Sequence, residues 1–315
     1  MRKIFNVIAA VLVSLSLLSS CKANAQKSAE PVEPMSEQEI VNREIFDRIY
    51  SEVKNDAGKP MGELTVEIAQ KFLGTEYIAS TLEKEPEELQ VFLDKTDCIL
   101  FVELSSCFAL TVKGYRIEQA GDGETFKVSD KPSVKKAEPS YELLCDNIRN
   151  MRYRLGVVDG YPSRVHYTSE WILQNQTNGI MKEFSQNLGS QFQQKFSYMS
   201  KHPGSYMQLK NNPSNVEKIQ KMESHLEAQA PFFYVSQAQL RDPKVISQIE
   251  DGDIITFISK TEGLDLAHVA LALKVDGVMH FIHASSKAMK VIIEEKTLAD
   301  YATNGLRVCR FNPSL

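Results

Sequence analysis

The sequence predicts an α+β fold, with helices first and an antiparallel sheet last. Three observations predict it. Apolar residues recur at helical spacing through the first half. Residues 96–111 are apolar on nearly every side. In the last third, short apolar runs flank Asp276-Gly277, a strong hairpin signal.

The elements follow in order. Ser36, with Glu39 three residues on, has the form of a helix N-cap. Val41, Ile45, Ile49 and Val53 then fall on one face. A second amphipathic helix is predicted over residues 61–73, with Leu64, Ile68 and Phe72 in register and Gly74 as its stop. Residues 96–111 read as a central buried helix. Residues 114–140 are polar and rich in turn formers, which predicts a surface insertion. Another helix is predicted over 141–155, whereas 174–229 carry only weak signals. Strands are predicted at 254–258, 269–275, 278–284 and 291–293.

The chain has 315 residues, 43% of them apolar, and a formal net charge of −5 without a long basic run. Nothing there favours nucleic acid as a partner. Arg2 and Lys3 precede an apolar run over 8–18. That run is too short for a stop-transfer helix and reads as a secretory signal. Two cleavage readings fit it. Leu18-Ser19-Ser20-Cys21 has the form of a lipobox, in which Cys21 is lipidated, and Ala23-Asn24-Ala25 fits an ordinary A-x-A site. The first reading makes 1–20 a lipoprotein signal peptide, 21–36 a disordered tether and 37–315 a single domain. The protein is then expected to be exported and periplasmic, anchored to the outer membrane of a Gram-negative bacterium through its N-terminal lipid alone.

Cys98, Cys107, Cys145 and Cys309 are too irregularly spaced for a disulfide framework. Cys98 stands out. With Thr96 or Asp97 as N-cap it opens the buried helix, where the dipole and free N–H groups depress a thiol pKa and hold a developing oxyanion. A thiol nucleophile needs a base, usually histidine. If Asp276 and Gly277 form a two-residue turn, Ala270 faces His283 and His268 faces Ser285. His268 and His283 then share one face as diagonal neighbours, and His280 points to the other. This makes His268 the base and His283 its orienting partner. Ala270 and Ala272 are small enough to leave room on that face for the nucleophile helix. Cys98, His268 and His283 are also three potential zinc ligands, but no CxxC or HxxxH spacing supports a metal, and no cofactor is expected. Arg164, His166, Tyr167 and Trp171 form the densest polar-aromatic cluster. It suits a substrate with a sugar face for aromatic rings and an acid for Arg164, or else a capped helix entry with buried aromatics.

Several of these segments together resemble a known family. Leu73-Gly74-Thr75-Glu76-Tyr77, Thr96-Asp97-Cys98, Ala267-His268-Val269-Ala270-Leu271 and Phe281-Ile282-His283-Ala284 are similar to the NlpC-type papain-like peptidoglycan hydrolases. Thr81-Leu82-Glu83, Phe101-Val102-Glu103 and Ser163-Arg164-Val165-His166-Tyr167 resemble one branch, the N-acetylmuramoyl-L-alanine amidase-like family. The resemblance covers roughly residues 61–293. It implies a papain-like fold whose nucleophile opens a central helix packed on the sheet, with Cys98, His268 and His283 in catalysis. It also implies Tyr77 beside the nucleophile, with Asp97 and the Arg164 cluster toward the substrate. The implied reaction cuts the amide between N-acetylmuramic acid and L-alanine, with muropeptides as partners. Ile99-Leu100 replace the Ser-Gly that usually follows the cysteine in the wider superfamily. Two alternatives stay open: an endopeptidase cutting the γ-D-glutamyl–diamino acid bond, and a non-catalytic muropeptide-binding lipoprotein.

Overall fold

The computed structural model describes residues 35–123 and 125–315. The expected signal segment 1–20, Cys21 and most of the expected tether lie outside the described residues. Six helices matter here: α1 (Glu37–Val53), α2 (Met61–Gln70), α3 (Cys98–Val112), α4 (Tyr141–Arg152), α5 (Thr168–Thr177) and α6 (Pro213–Glu227). The main sheet has eight strands: β1 (Glu76–Tyr77), β2 (Lys95–Thr96), β3 (Met181–Glu183), β4 (Ile254–Ile258), β5 (Leu266–Val275), β6 (Val278–Ser285), β7 (Lys290–Ile293) and β8 (Leu306–Phe311). Their spatial order is β2-β1-β7-β6-β5-β4-β8-β3. Every neighbouring pair is antiparallel except β1–β2 at the edge.

Helix α1 begins as predicted, with Ser36 Oγ accepting the Glu39 N–H at 3.2 Å. Its buried face is turned relative to the prediction: Asn42, Phe46, Ile49 and Val53 point inward and Val41 is exposed. The cause is Asn42. Its amide donates to the Val91 carbonyl at 2.8 Å and accepts the Leu93 N–H at 3.0 Å, so a polar side chain straps the segment leading into β2.

Helix α3 is buried along nearly its whole length. Its buried hydroxyls, Ser105, Ser106 and Thr111, each donate to the carbonyl four residues back, at 2.7–2.8 Å. Its buried carboxylate, Glu103, accepts the Arg152 Nε–H of α4 at 2.9 Å. With its polar groups paired in this way, the helix can run through the apolar interior.

Two apolar layers cover the sheet. Phe101, Val102 and Phe108 of α3 join Val269, Leu271 and Ile282 on one face. Ala270, Ala272 and Phe281 on the other face join Leu240, Ile249 and Leu298. Helix α3, expected on the face of Ala270 and Ala272, lies on the opposite face, a correction to the sequence expectation. The alternation of a strand does not say which face a distant helix will cover, and short helical turns with few apolar residues took the alanine face.

The region without firm sequence signals holds α6, a hairpin of Ser190–Phe192 with Phe232–Tyr234, and several single turns. Within 114–140, Tyr115–Ile117 pairs with Val134–Lys136 as a separate small ribbon.

Candidate functional site

Asp97 caps α3, its Oδ1 accepting the Leu100 N–H at 2.9 Å. Cys98 is thus the first helical residue, where backbone N–H groups lack intrahelical partners. The N–H groups of Cys98, Ile99 and Val269 all point at its sulfur and favour the thiolate. Burial and the Asp97 carboxylate outweigh them and push the thiol up to about 12. The sequence predicts a depressed thiol. The structure reverses that, because this helix terminus lies inside the protein and its cap carries a negative charge.

His268 enters β5 beside an irregularity. Phe257 pairs with His268 but Ile258 pairs with Leu266, which leaves Ala267 as an extra residue. Such a bulge re-aims the side chain next to it. The hairpin beyond it has the predicted register, with Val275 opposite Val278 and Leu273 opposite His280. Asp276 (φ 50°) and Gly277 (φ 81°) are both in the left-handed region, as a type I′ turn requires.

This register brings His268 and His283 together. His268 Nε2 lies 2.6 Å from His283 Nδ1, and the rings meet edge to face at 4.8 Å. The His268 ring also stacks on Phe257 at 5.7 Å. Burial, reinforced by the neighbouring His283, lowers His268 to about 3, and burial alone lowers His283 to about 4. Both are neutral at neutral pH. The resting site therefore holds a neutral thiol and a neutral imidazole pair, not a preformed ion pair.

Tyr77 is half-buried beside Cys98. Burial, then Cys98 and Asp97, push its phenol up to about 12, so it keeps its proton and remains a donor. Tyr301, which no sequence signal marked, packs against both histidines, with ring centroids at 6.5 Å from His268 and 6.1 Å from His283. It comes from a short capped turn, Leu298–Tyr301, that carries no periodicity to read.

A cleft of about 320 Å³ is lined by Phe257, His268, His283, Ser285, Tyr301 and Asn304, among others. A second, of about 200 Å³, is lined by Leu82, Glu83, Asp97, Ile99, Arg164 and Trp171, among others. Both sequence neighbours of Cys98 line the second cleft, and its sulfur meets the Val269 N–H, next to His268 in the first.

The polar-aromatic cluster is more committed internally than its composition suggests. Arg164 is 4% exposed and donates to Glu83 at 2.8 Å, with Glu87 at 3.4 Å, so two carboxylates of the chain already hold it. His166 Nε2 meets the Tyr161 carbonyl at 2.9 Å, and burial keeps the ring neutral. The Tyr167 hydroxyl donates to Glu223 at 2.7 Å and accepts the Met199 N–H at 3.1 Å. Trp171 is 3% exposed, and its indole N–H has no hydrogen-bond partner among the described residues.

The family model for N-acetylmuramoyl-L-alanine amidase-like proteins matches residues 67–306. The chain belongs to this family. A solved N-acetylmuramoyl-L-alanine amidase from Bacteroides uniformis is 32% identical to this amidase-like chain, covers 80% of it over 98% of its own length, and superposes with a TM-score of 0.68. A Bacteroides fragilis structure solved under a provisional xylanase name is 32% identical, covers 77% of this chain and 99% of its own, with a TM-score of 0.64. A Legionella pneumophila protein shares the fold at 19% identity, covering 87% and 95% of the two chains with a TM-score of 0.57. No curated protein sequence matches the chain significantly. Membership makes the chain an amidase-like peptidoglycan hydrolase.

Proposed function

We propose that the protein is a cysteine-dependent N-acetylmuramoyl-L-alanine amidase of the NlpC-type papain-like class, with residues 37–315 as its single domain. The observation that carries the reading is the His268–His283 pair at 2.6 Å, with His268 on the strand whose Val269 N–H meets the sulfur of a capped N-terminal helix cysteine.

The chemistry follows from those atoms. His268 Nε2 is taken by His283, which leaves Nδ1 for the thiol proton. As that proton moves, the Cys98 sulfur bonds to the carbonyl carbon of the muramic lactyl group, and the oxygen becomes an oxyanion. Helix N-terminal N–H groups and the Tyr77 phenol are suited to stabilise it. Collapse breaks the C–N bond, His268 passes its proton to the departing L-alanyl amine, and a thioester remains. Water, deprotonated by His268, then releases the lactyl carboxylate and restores the thiol. Since the resting pair is neutral, proton transfer accompanies attack.

A glycosidase reading needs two free carboxylates across a cleft. Glu83, Asp97 and Glu103 line the second cleft, yet Arg164, the α3 cap and Arg152 occupy them. The site supports the amidase instead. The apolar segment 8–18 and the sequence Leu18-Ser19-Ser20-Cys21 support export as a lipoprotein acting on wall fragments. The test is mass spectrometry of defined muropeptides after incubation with the domain. The expected products are a free saccharide ending in the lactyl carboxylate and a peptide beginning with L-alanine. A cut between D-glutamate and the diamino acid overturns the assigned bond, and full activity of folded Cys98→Ala overturns the nucleophile.

A further inference from the structure

We propose that Glu294 is a positioning residue that fixes the tautomer of His283 and, through it, of His268. The inference deepens the amidase reading and rests on it for the catalytic consequence, though not for the tautomer itself.

His283 is 2% exposed, and its Nε2 closes no hydrogen bond among the described residues. A buried ring nitrogen without a partner is costly. The Glu294 carboxylate is aimed at it, with Oε2 at 3.4 Å, somewhat longer than a formed bond. Glu294 is held at its backbone and at one carboxylate oxygen. The Glu294 N–H donates to the Phe281 carbonyl at 2.9 Å. Its carbonyl meets His280 Nδ1 at 3.0 Å. Its Oε1 accepts the Lys296 N–H at 3.2 Å, which leaves Oε2 for the histidine.

A neutral imidazole carries one donor and one acceptor, so the pair has two arrangements. In the first, His268 Nε2–H donates to His283 Nδ1, and His283 Nε2–H points at Glu294. His268 Nδ1 is then bare and can take the thiol proton. In the second, His283 Nδ1–H donates to His268 Nε2. His268 must then carry its proton at Nδ1 and cannot act as base, while a bare His283 Nε2 faces a carboxylate, lone pair against negative charge. Glu294 selects the first arrangement. It also places a negative charge behind the pair at the moment His268 becomes imidazolium. This explains the otherwise unneeded carboxylate just past β7.

The primary test is ¹⁵N-histidine NMR of the folded protein at neutral pH, which reads the protonated nitrogen of each ring. Signals are assigned with His268→Gln and His283→Gln. Wild type should show Nε2–H at both rings, and Glu294→Ala should show a substantial Nδ1–H population at His283. On muropeptides, Glu294→Ala should lower kcat by about tenfold or more, with KM within about twofold. Glu294→Gln should fall between, because its amide oxygen can accept the Nε2–H but carries no charge. Nδ1–H at His283 in wild type overturns the proposal, as does an unchanged ring pattern in folded Glu294→Ala. If the alanine variant does not fold, the isosteric Gln variant decides: wild-type kcat there overturns the charge role. If wild type turns over no muropeptide, the amidase reading fails, while the ring pattern still decides the tautomer.

Discussion

Replacing Asp97 by Asn separates the two things this residue does. As an N-cap it accepts the Leu100 N–H, and Asn caps a helix about as well as Asp, so α3 should keep its start. As a carboxylate next to Cys98 it disfavours the thiolate, second only to burial. Together the two outweigh the N–H groups and raise the thiol from the ordinary 9.0 to about 12. At any pH below 9 that is about a thousandfold less thiolate than in a free cysteine, since each unit is a factor of ten. Removing the neighbouring charge should recover about tenfold of it, leaving the larger burial effect in place. The assay is the rate of iodoacetamide alkylation against pH, followed at the Cys98 peptide because half-buried Cys145 is also free. In wild type the rate should rise with pH through the whole range up to 9 without a plateau. Asp97→Asn should raise the rate at each pH with the same slope. A wild-type plateau below pH 7 would falsify the neutral resting pair. An unchanged or slower rate in folded Asp97→Asn would show that the cap charge does not act on the sulfur.

Two further outcomes are expected. Cys98→Ala and His268→Ala should each lower kcat by about a thousandfold or more, and the double variant should be little worse than either, because they act as one unit; additive losses in single-turnover kinetics would break that link. Arg152→Ala should cost about 3–5 kcal/mol in urea unfolding, because it strands the buried Glu103 carboxylate inside α3; a loss below about 1 kcal/mol would mean that Glu103 is neutral in the native state.

The site was legible where chemistry is local in sequence. Asp276-Gly277 dictates its turn, the turn dictates the β5–β6 register, and the register puts His268 beside His283. A cap at Thr96 or Asp97, with Cys98 in the first turn, follows from residue types alone, and the structure selects Asp97. What was not legible depends on which elements meet. The bulge at Ala267 needs β4 to pair with β5, and Glu294 needs β7 to pair with β6. The thiol's elevation depends on burial that no window of sequence reports. Arg164 offers an attractive fork for an acidic substrate, but Glu83 lies 81 residues earlier in the chain and takes it first. Helix α6 went unread because only Ile219, Met222, Glu223 and Leu226 of its fifteen residues are buried, too few for a clear apolar stripe.

The most direct measurement traps the covalent intermediate. Wild-type protein is mixed with a defined muropeptide, quenched in acid within the first turnover and digested, and the Cys98 peptide is weighed. The account predicts a muramyl thioester on Cys98, bonded through the lactyl carbonyl, and no adduct on Cys107, Cys145 or Cys309. An adduct of the L-alanyl-γ-D-glutamyl group would assign the endopeptidase cut instead. Turnover with an unmodified Cys98 peptide at every quench time, and with His268→Ala equally active, would contradict the thiol mechanism itself.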